Sequence, residues 1–187
     1  MESMGIKRNL ANFFDGRRVL VLGHTGFKGS WLSLWLKSLG AEVIGFSRVP
    51  STKPNLYDIA QVSNFTTSII GDICDLDTLK NVFEEQKPEI VFHLAAQALV
   101  LESYANPIET YNSNIMGTAN VLECIRKTNS TRTVVIVTSD KCYENNDDGS
   151  PFTEEDRFGG DDPYSSSKAC AEIVTNAYRK SFFDSSN

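Results

Sequence analysis

Arg18-Val19-Leu20-Val21-Leu22 runs directly into Gly23-His24-Thr25-Gly26-Phe27-Lys28-Gly29, and an apolar helical pattern follows at once. The first run reads as a short strand buried on both faces, closed by a glycine. Glycines at the spacing Gly-x-x-Gly-x-x-Gly let the chain turn sharply, let backbone approach a pyrophosphate and let the next helix pack close to the sheet. The helix start then offers free N–H groups and partial positive charge to phosphates. Three glycines alone are weak evidence. Placed between a strand and a helix, they point to nucleotide binding rather than to a structural turn.

The rest of the chain repeats the alternation. A helix is expected from about Lys28 to Leu39, with Trp31, Leu32, Leu34, Trp35 and Leu39 on its apolar face and Gly40 as its stop. The two tryptophans are assigned to core packing by their helical spacing. Further strands are expected at Glu42 to Phe46, around Ile69-Ile70 and Ile73, at Glu89 to Leu94 and at Thr133 to Thr138. Helices are expected from Asp77, as cap, to Gln86, from Asn106 or Pro107 to Lys127, and from near Tyr164 past Tyr178. Near-continuous apolar strands alternating with helices give an α/β fold, a doubly wound parallel sheet of Rossmann type. The Asp-, Asn- and Gly-rich stretch Asn145–Asp162 reads either as a binding loop or as a solvated excursion. Residues 1–15 read as an N-terminal extension and residues 16–187 as the nucleotide-binding domain.

A net charge of −6 argues against a nucleic-acid partner, which needs a basic face. Cys74, Cys124, Cys142 and Cys170 are widely spaced, with no Cys-x-x-Cys, so reduced thiols that mostly fill core are expected and a metal site is not. No apolar run reaches membrane-spanning length and the N-terminus lacks a signal-type segment, which makes the cytoplasm the default location.

The fifth apolar run ends in Ser139-Asp140-Lys141. Tyr164 follows 25 residues after Ser139, and Lys168 lies four after Tyr164, one helical turn on and on the same face. An ammonium near a phenol favours the phenolate, and such a tyrosine can take a hydroxyl proton while hydride leaves the same carbon for a nicotinamide. Ser139 can donate to the same substrate oxygen. Asp140 and Lys141 add an acid and an amine that oxidation alone does not need. The plain alternative for them is a capped strand end with a surface ion pair. At the end of the second strand stands Arg48 rather than an acid. It can meet a 2′-phosphate, favouring NADP, or be a solvated loop arginine. Asp72 is a candidate for the adenine amino group or else a turn cap. The small residues of His93-Leu94-Ala95-Ala96-Gln97 let backbone lie close to a cofactor, and His93 itself reads as a satisfied core histidine.

Several stretches resemble the extended short-chain dehydrogenase/reductases, the group of nucleotide-sugar epimerases and dehydratases. They are Gly23 to Leu32, Gly71-Asp72-Ile73, His93 to Gln97, Asn114-Ile115-Met116-Gly117-Thr118, Thr138 to Asn145 and Asp162 to Glu172. The resemblance implies NAD, rather than NADP, as cofactor. It implies cofactor contacts at Gly23, Thr25, Gly26, Phe27 and Gly29, at Arg48, Asp72 and Ile73, at Leu94, Ala95, Ala96 and Gln97, and at Asn114, Thr138, Tyr164 and Lys168. It implies catalytic roles for Ser139, Asp140, Lys141, Tyr164 and Lys168. In dTDP-glucose dehydratases of this group an Asp-Glu pair follows the hydroxyl residue; here Lys141 stands in place of the Glu, as in the branch acting on CDP-glucose. The implied activity is a 4,6-dehydration of CDP-D-glucose, with 4-epimerisation or reduction, or an inactive NAD-binding module, as alternatives. A nucleotide-sugar partner, a homodimer and a role in deoxysugar and lipopolysaccharide O-antigen biosynthesis go with it. Leu22 departs from the threonine usual before the first glycine. The group's chains continue past residue 187, so the C-terminal substrate domain is expected to be absent from this sequence.

Overall fold

The computed structural model describes residues 9–145 and 149–183. Parts of the expected N-terminal extension (1–8), of the long loop (146–148) and of the polar end (184–187) lie outside the described residues.

Five strands, β1 (Arg18–Leu22), β2 (Glu42–Ser47), β3 (Thr67–Ile70), β4 (Ile90–His93) and β5 (Thr133–Ile136), form one sheet in the order β3-β2-β1-β4-β5. Every pair is parallel, and Leu22 is in register with both Phe46 and His93. The expected doubly wound sheet is therefore present. Its order reverses between β1 and β4, the switch point at which open α/β sheets bind ligands. β1 explains why both faces are covered. Leu20 and Leu22 join one core cluster with Phe46, Leu79, Phe83, Val91 and Val121, while Val19 and Val21 join another with Leu36, Val43 and Ile90. Phe14, within the helical residues 9–14, packs on the second cluster, so part of the expected extension is tied to the domain.

The helices are α1 (Phe27–Ser38), α2 (Leu56–Ile59), α3 (Leu76–Gln86), α4 (Val100–Ala105), α5 (Pro107–Tyr111), α6 (Gly117–Lys127) and α7 (Pro163–Tyr178). The expected single helix from Pro107 to Lys127 is interrupted by a π-helical turn, Asn112–Met116, joining α5 to α6. α3 is capped by Asp75, whose side chain accepts from Thr78 N–H, and not by Asp77. Ile73 lies beyond β3 in a turn. α2 and α4 escape the sequence because each is only about one turn long.

One expectation is overturned. Trp31 and Trp35 are 55 % and 54 % exposed, and α1 instead buries Gly29, Ser30, Ser33 and Leu36. The glycine turn brings the first turns of this helix so close to the sheet that only small side chains fit beneath them, and the larger Leu36 is buried further along. A Cβ on Gly29 would collide with the Gly23 carbonyl. Ser30 and Ser33 satisfy their buried hydroxyls on the carbonyls of His24 and Gly29. Of the cysteines, all free, Cys124 and Cys142 are buried while Cys74 is exposed.

Candidate active site

The turn after β1 is shaped by what it must touch. Gly23 sits at φ +93°, where a side chain is strained, and a Cβ there would stand 2.8 Å from the Ala95 nitrogen of the loop after β4. The loops after β1 and β4 thus meet at the sheet's switch point. Gly26 starts α1 with no side-chain cap, so the first-turn N–H groups of Phe27, Lys28 and Gly29 face outward unclaimed by side chains. A cradle that a Cβ would fill, beside an uncapped helix start, fits a dinucleotide pyrophosphate. Thr25 faces the other way: its hydroxyl donates to the Arg48 carbonyl at 2.8 Å and lies 2.9 Å from Ser47 Oγ, tying the turn to the end of β2. His24 is wholly buried, with Nε2 2.7 Å from Ser68 Oγ, and burial pushes its imidazole down to about 4.

At the end of β2, Arg48 Nη1 donates to Glu109 Oε1 at 2.9 Å and lies 4.0 Å from Asp72 Oδ2. Neither of the two sequence readings of Arg48 anticipates this acid on α5. Asp72 Oδ1 accepts from Cys74 N–H at 2.9 Å, a turn cap, which leaves Oδ2 toward Arg48. The side chain of Ile73 goes into the core, filling the space that Gly117 leaves by lacking a Cβ.

Gln97 and Asn114 hold the loop after β4 in place. Gln97 N–H donates to Asn114 Oδ1 at 2.8 Å, and Asn114 Nδ2 donates to the Gln97 carbonyl and to Ser167 Oγ at 3.0 and 2.8 Å. The Gln97 amide donates to Thr110 Oγ1 and the Leu99 carbonyl. Both side chains are buried and their hydrogen bonds go to protein, so the approach of Leu94, Ala95 and Ala96 to the crevice is through backbone. The π-helical turn is what swings Asn114 inward, a usual occurrence of such bulges at functional sites. His93 is buried with Nε2 3.1 Å from Thr118 Oγ1, and burial pushes it down to about 3; it is a core histidine as expected but only half satisfied, because its Nδ1 has no hydrogen-bond partner among the described residues.

Beyond β5, Ser139 caps a short 3₁₀ turn, Asp140–Cys142. Its hydroxyl donates to Asp140 Oδ1 at 3.0 Å and accepts from Lys141 N–H at 3.3 Å. Thr138 donates to Glu172 Oε1 at 2.5 Å, fastening the end of β5 to α7. The 3₁₀ turn packs on α7; burial works to raise the Asp162 carboxylate, but hydrogen bonds from the Ser165 hydroxyl and the Ser165 and Tyr164 N–H groups, with a smaller part from the Lys141 charge, hold it below its usual range. Asp162 caps α7 by accepting from Tyr164 and Ser165 N–H, both at 2.9 Å, so Lys141 stands at the end of the helix that carries Tyr164. Lys168 is buried, with Nζ 5.9 Å from the centroid of the Tyr164 ring. Burial, then the charge of Lys28, pulls its ammonium down to about 8. Among the described residues it forms no hydrogen bond or ion pair. The structure therefore brings Ser139, Asp140 and Lys141 to the face of α7 bearing Tyr164 and Lys168.

Three participants were missed in the sequence. Glu172 carried a signal, lying four residues after Lys168 on the same helix, and Lys28 lay inside the glycine motif. Glu109 carried none, because its meeting with Arg48 spans 61 residues. The long loop returns as well: Tyr143 bridges to Phe158 and stacks between Phe158 and Phe152 at centroid distances of 5.7 and 5.5 Å.

A parallel sheet in this order, with a phosphate cradle at its switch point, is of the Rossmann dinucleotide-binding class. The chain belongs to the family described as GDP-mannose 4,6 dehydratase, which it matches over residues 20–183. It is 51% identical over 176 residues to a CDP-glucose 4,6-dehydratase of Salmonella typhimurium, covering 94% of this chain and 49% of that one. It is 33% identical to a dTDP-D-glucose 4,6-dehydratase of Dictyostelium discoideum, covering 89% and 41%. The chain thus spans about half the length of the curated relatives it matches. Among solved structures it is similar to the Thermus thermophilus UDP-glucose 4-epimerase complex with NAD, with a TM-score of 0.78 at 29% identity over 88% of this chain and 51% of that one. The UDP-glucose 4-epimerase of Thermotoga maritima with UDP-glucose gives a TM-score of 0.80 at 26% identity, over 88% and 52%.

Proposed function

We propose that this chain carries the catalytic groups of a lyase that converts CDP-D-glucose to CDP-4-dehydro-6-deoxy-D-glucose and water, with NAD as an internal hydride carrier. The observation that supports the reading is that the turn carrying Asp140 and Lys141 packs on the helix that carries Tyr164 and Lys168. An epimerase or reductase needs the tyrosine and lysine but not a further acid and amine.

NAD, when bound, would supply a two-electron acceptor for the hydride that leaves C4 of the sugar and is restored at C6. Tyr164 takes the C4 hydroxyl proton, with the Lys168 charge near its ring stabilising the negative charge that develops on the phenolic oxygen. Ser139 turns its one hydroxyl hydrogen from Asp140 Oδ1 to the substrate and donates to the same sugar oxygen. The 4-keto group acidifies the C5 proton, which Lys141 removes, while Asp140 protonates the C6 hydroxyl as it leaves as water; as hydride returns to C6, Lys141 gives its proton back to C5, and the proton taken up by Tyr164 makes good the one Asp140 gave. The turn after β1 and the α1 start hold the pyrophosphate, and Arg48 with Asp72 and Glu109 lies where the adenosine ribose would sit.

With this reading go a cytoplasmic location, a place in deoxysugar and lipopolysaccharide O-antigen biosynthesis, and a homodimer. Among the described residues no helix is long and apolar enough to cross a membrane. Leu101, Tyr104 and Ile108 stand exposed on α4 and α5, an apolar face suited to a second copy.

The test is incubation of the chain with CDP-glucose and NAD, followed by the ultraviolet absorbance that 4-keto sugars develop in alkali. Repeated turnover is expected. Asp140→Asn is expected to stop product formation while C4 oxidation, read as reduced-nicotinamide absorbance, persists. Full product formation by Asp140→Asn would refute the acid role. Binding of NAD without turnover would remove the lyase assignment and leave the dinucleotide site standing.

A further inference from the structure

We infer that Glu109, on α5, makes this site select NAD over NADP by occupying the guanidinium of Arg48. The inference rests on the dinucleotide reading above and adds the residue that sets cofactor choice. In sites of this class an acid after the second strand accepts from the ribose 2′-hydroxyl, whereas a nearby arginine accommodates a 2′-phosphate. This chain has the arginine and lacks the local acid, so its second-strand end leaves a 2′-phosphate contact and a solvated arginine both open. The fold supplies what decides between them. Thr25 pins the Arg48 carbonyl to the glycine turn at 2.8 Å, which fixes Arg48 beside the cradle. Its guanidinium then donates to Glu109 Oε1 at 2.9 Å and lies 4.0 Å from Asp72 Oδ2. The two acids are the main causes that push Arg48 further up from its ordinary value, the Glu109 hydrogen bond first.

The trio carries two negative charges and one positive. A 2′-phosphate, itself close to doubly negative, meets net repulsion there and has to displace Glu109 to reach the arginine. A neutral ribose hydroxyl meets an acceptor instead, because Glu109 Oε2 carries no hydrogen bond among the described residues. The acid absent from the end of β2 is thus supplied from α5. Arg48 and Glu109 side chains are 55% and 52% exposed, so both are open to a ligand.

The experiment measures dissociation constants of NAD and NADP by calorimetry for the chain itself, for Glu109→Gln and for Arg48→Ala/Glu109→Gln, with circular dichroism as a check on folding. The wild type is expected to favour NAD. Glu109→Gln leaves one acid and a freed guanidinium, and the NADP/NAD affinity ratio is expected to rise about tenfold or more, mainly through tighter NADP binding. The double variant is expected to lose that gain, which assigns it to Arg48. A wild type that binds NADP as well as NAD, a Glu109→Gln ratio within about twofold of wild type, or a gain that survives in the double variant would each overturn the inference while leaving the dinucleotide site intact. Binding of neither cofactor by the wild type would overturn the dinucleotide reading itself, and this inference with it.

Discussion

Lowering the pH from 7.5 to 5 removes stability through two histidines that the fold keeps neutral. His24 and His93 are buried, and their imidazoles are held at about 4 and about 3 against an ordinary 6.5. The folded state therefore binds fewer protons than the unfolded chain between pH 6.5 and the folded values. Stability is fully present above 6.5 and is lost as pH falls toward 4. At pH 5 each unfolded ring is almost fully protonated while each folded ring is almost fully neutral. This costs about 2 kcal/mol per ring and about 4 kcal/mol together. The Lys168 ammonium is protonated in both states across this window, and ordinary carboxylates titrate below it, so the slope belongs to the histidines. Urea unfolding followed by circular dichroism at half-unit steps should show the unfolding free energy falling by about 2.4 kcal/mol per pH unit near pH 5.5. His93→Asn should roughly halve that slope, leaving His24 as its source. A wild-type unfolding free energy that is flat between pH 6.5 and 5 would refute the argument.

Lys168→Met removes a charge the fold holds at a cost. The ammonium is drawn from 10.5 to about 8 by burial, so stability is deficient below pH 8 and recovers as pH rises toward 10.5. The variant should be more stable by up to about 3 kcal/mol at pH 7 in urea titrations, lose the rise between pH 8 and 10.5, and lose C4 oxidation. Asn114→Ala strands the Gln97 N–H and carbonyl in a buried place, while the Ser167 hydroxyl keeps its bond to the Tyr164 carbonyl. It should cost about 3 kcal/mol in thermal or urea unfolding and weaken NAD binding by loosening the loop after β4; a loss under about 0.5 kcal/mol would show that water replaces the amide.

The strands were legible because each is an apolar run bounded by polar residues or glycine, and burial on both sheet faces demands such runs. Helix α1 was not read correctly, and the reason is instructive. Its apolar residues are large, and helical spacing was taken to point them inward. The close approach imposed by Gly23, Gly26 and Gly29 admits Gly29, Ser30 and Ser33 near the sheet, with Leu36 buried beyond them, so the tryptophans are turned outward. The same glycines that revealed the turn therefore contained the information about which face is buried. Hydrophobic periodicity does not express it, because the constraint is one of distance rather than of transfer from water.

The site divides along the same line. Residues that act through position in a motif, such as Tyr164 with Lys168 or Ser139 with Asp140 and Lys141, could be named from spacing because a helix or a strand end fixes their geometry locally. Residues whose role depends on a partner far along the chain could not. Gln97 and Asn114 were named for the cofactor, yet their polar atoms meet each other across 17 residues. Arg48 was left open between two readings, because the charge of a guanidinium says nothing until its neighbours are known. Here the neighbours are Glu109 and Asp72, brought in by the crossover from β4 to α6 and by the turn after β3. Cofactor choice in such a site is a property of the net charge of a tertiary cluster. A local rule that reads only the end of the second strand gives the opposite sign when, as here, the acid arrives from another element.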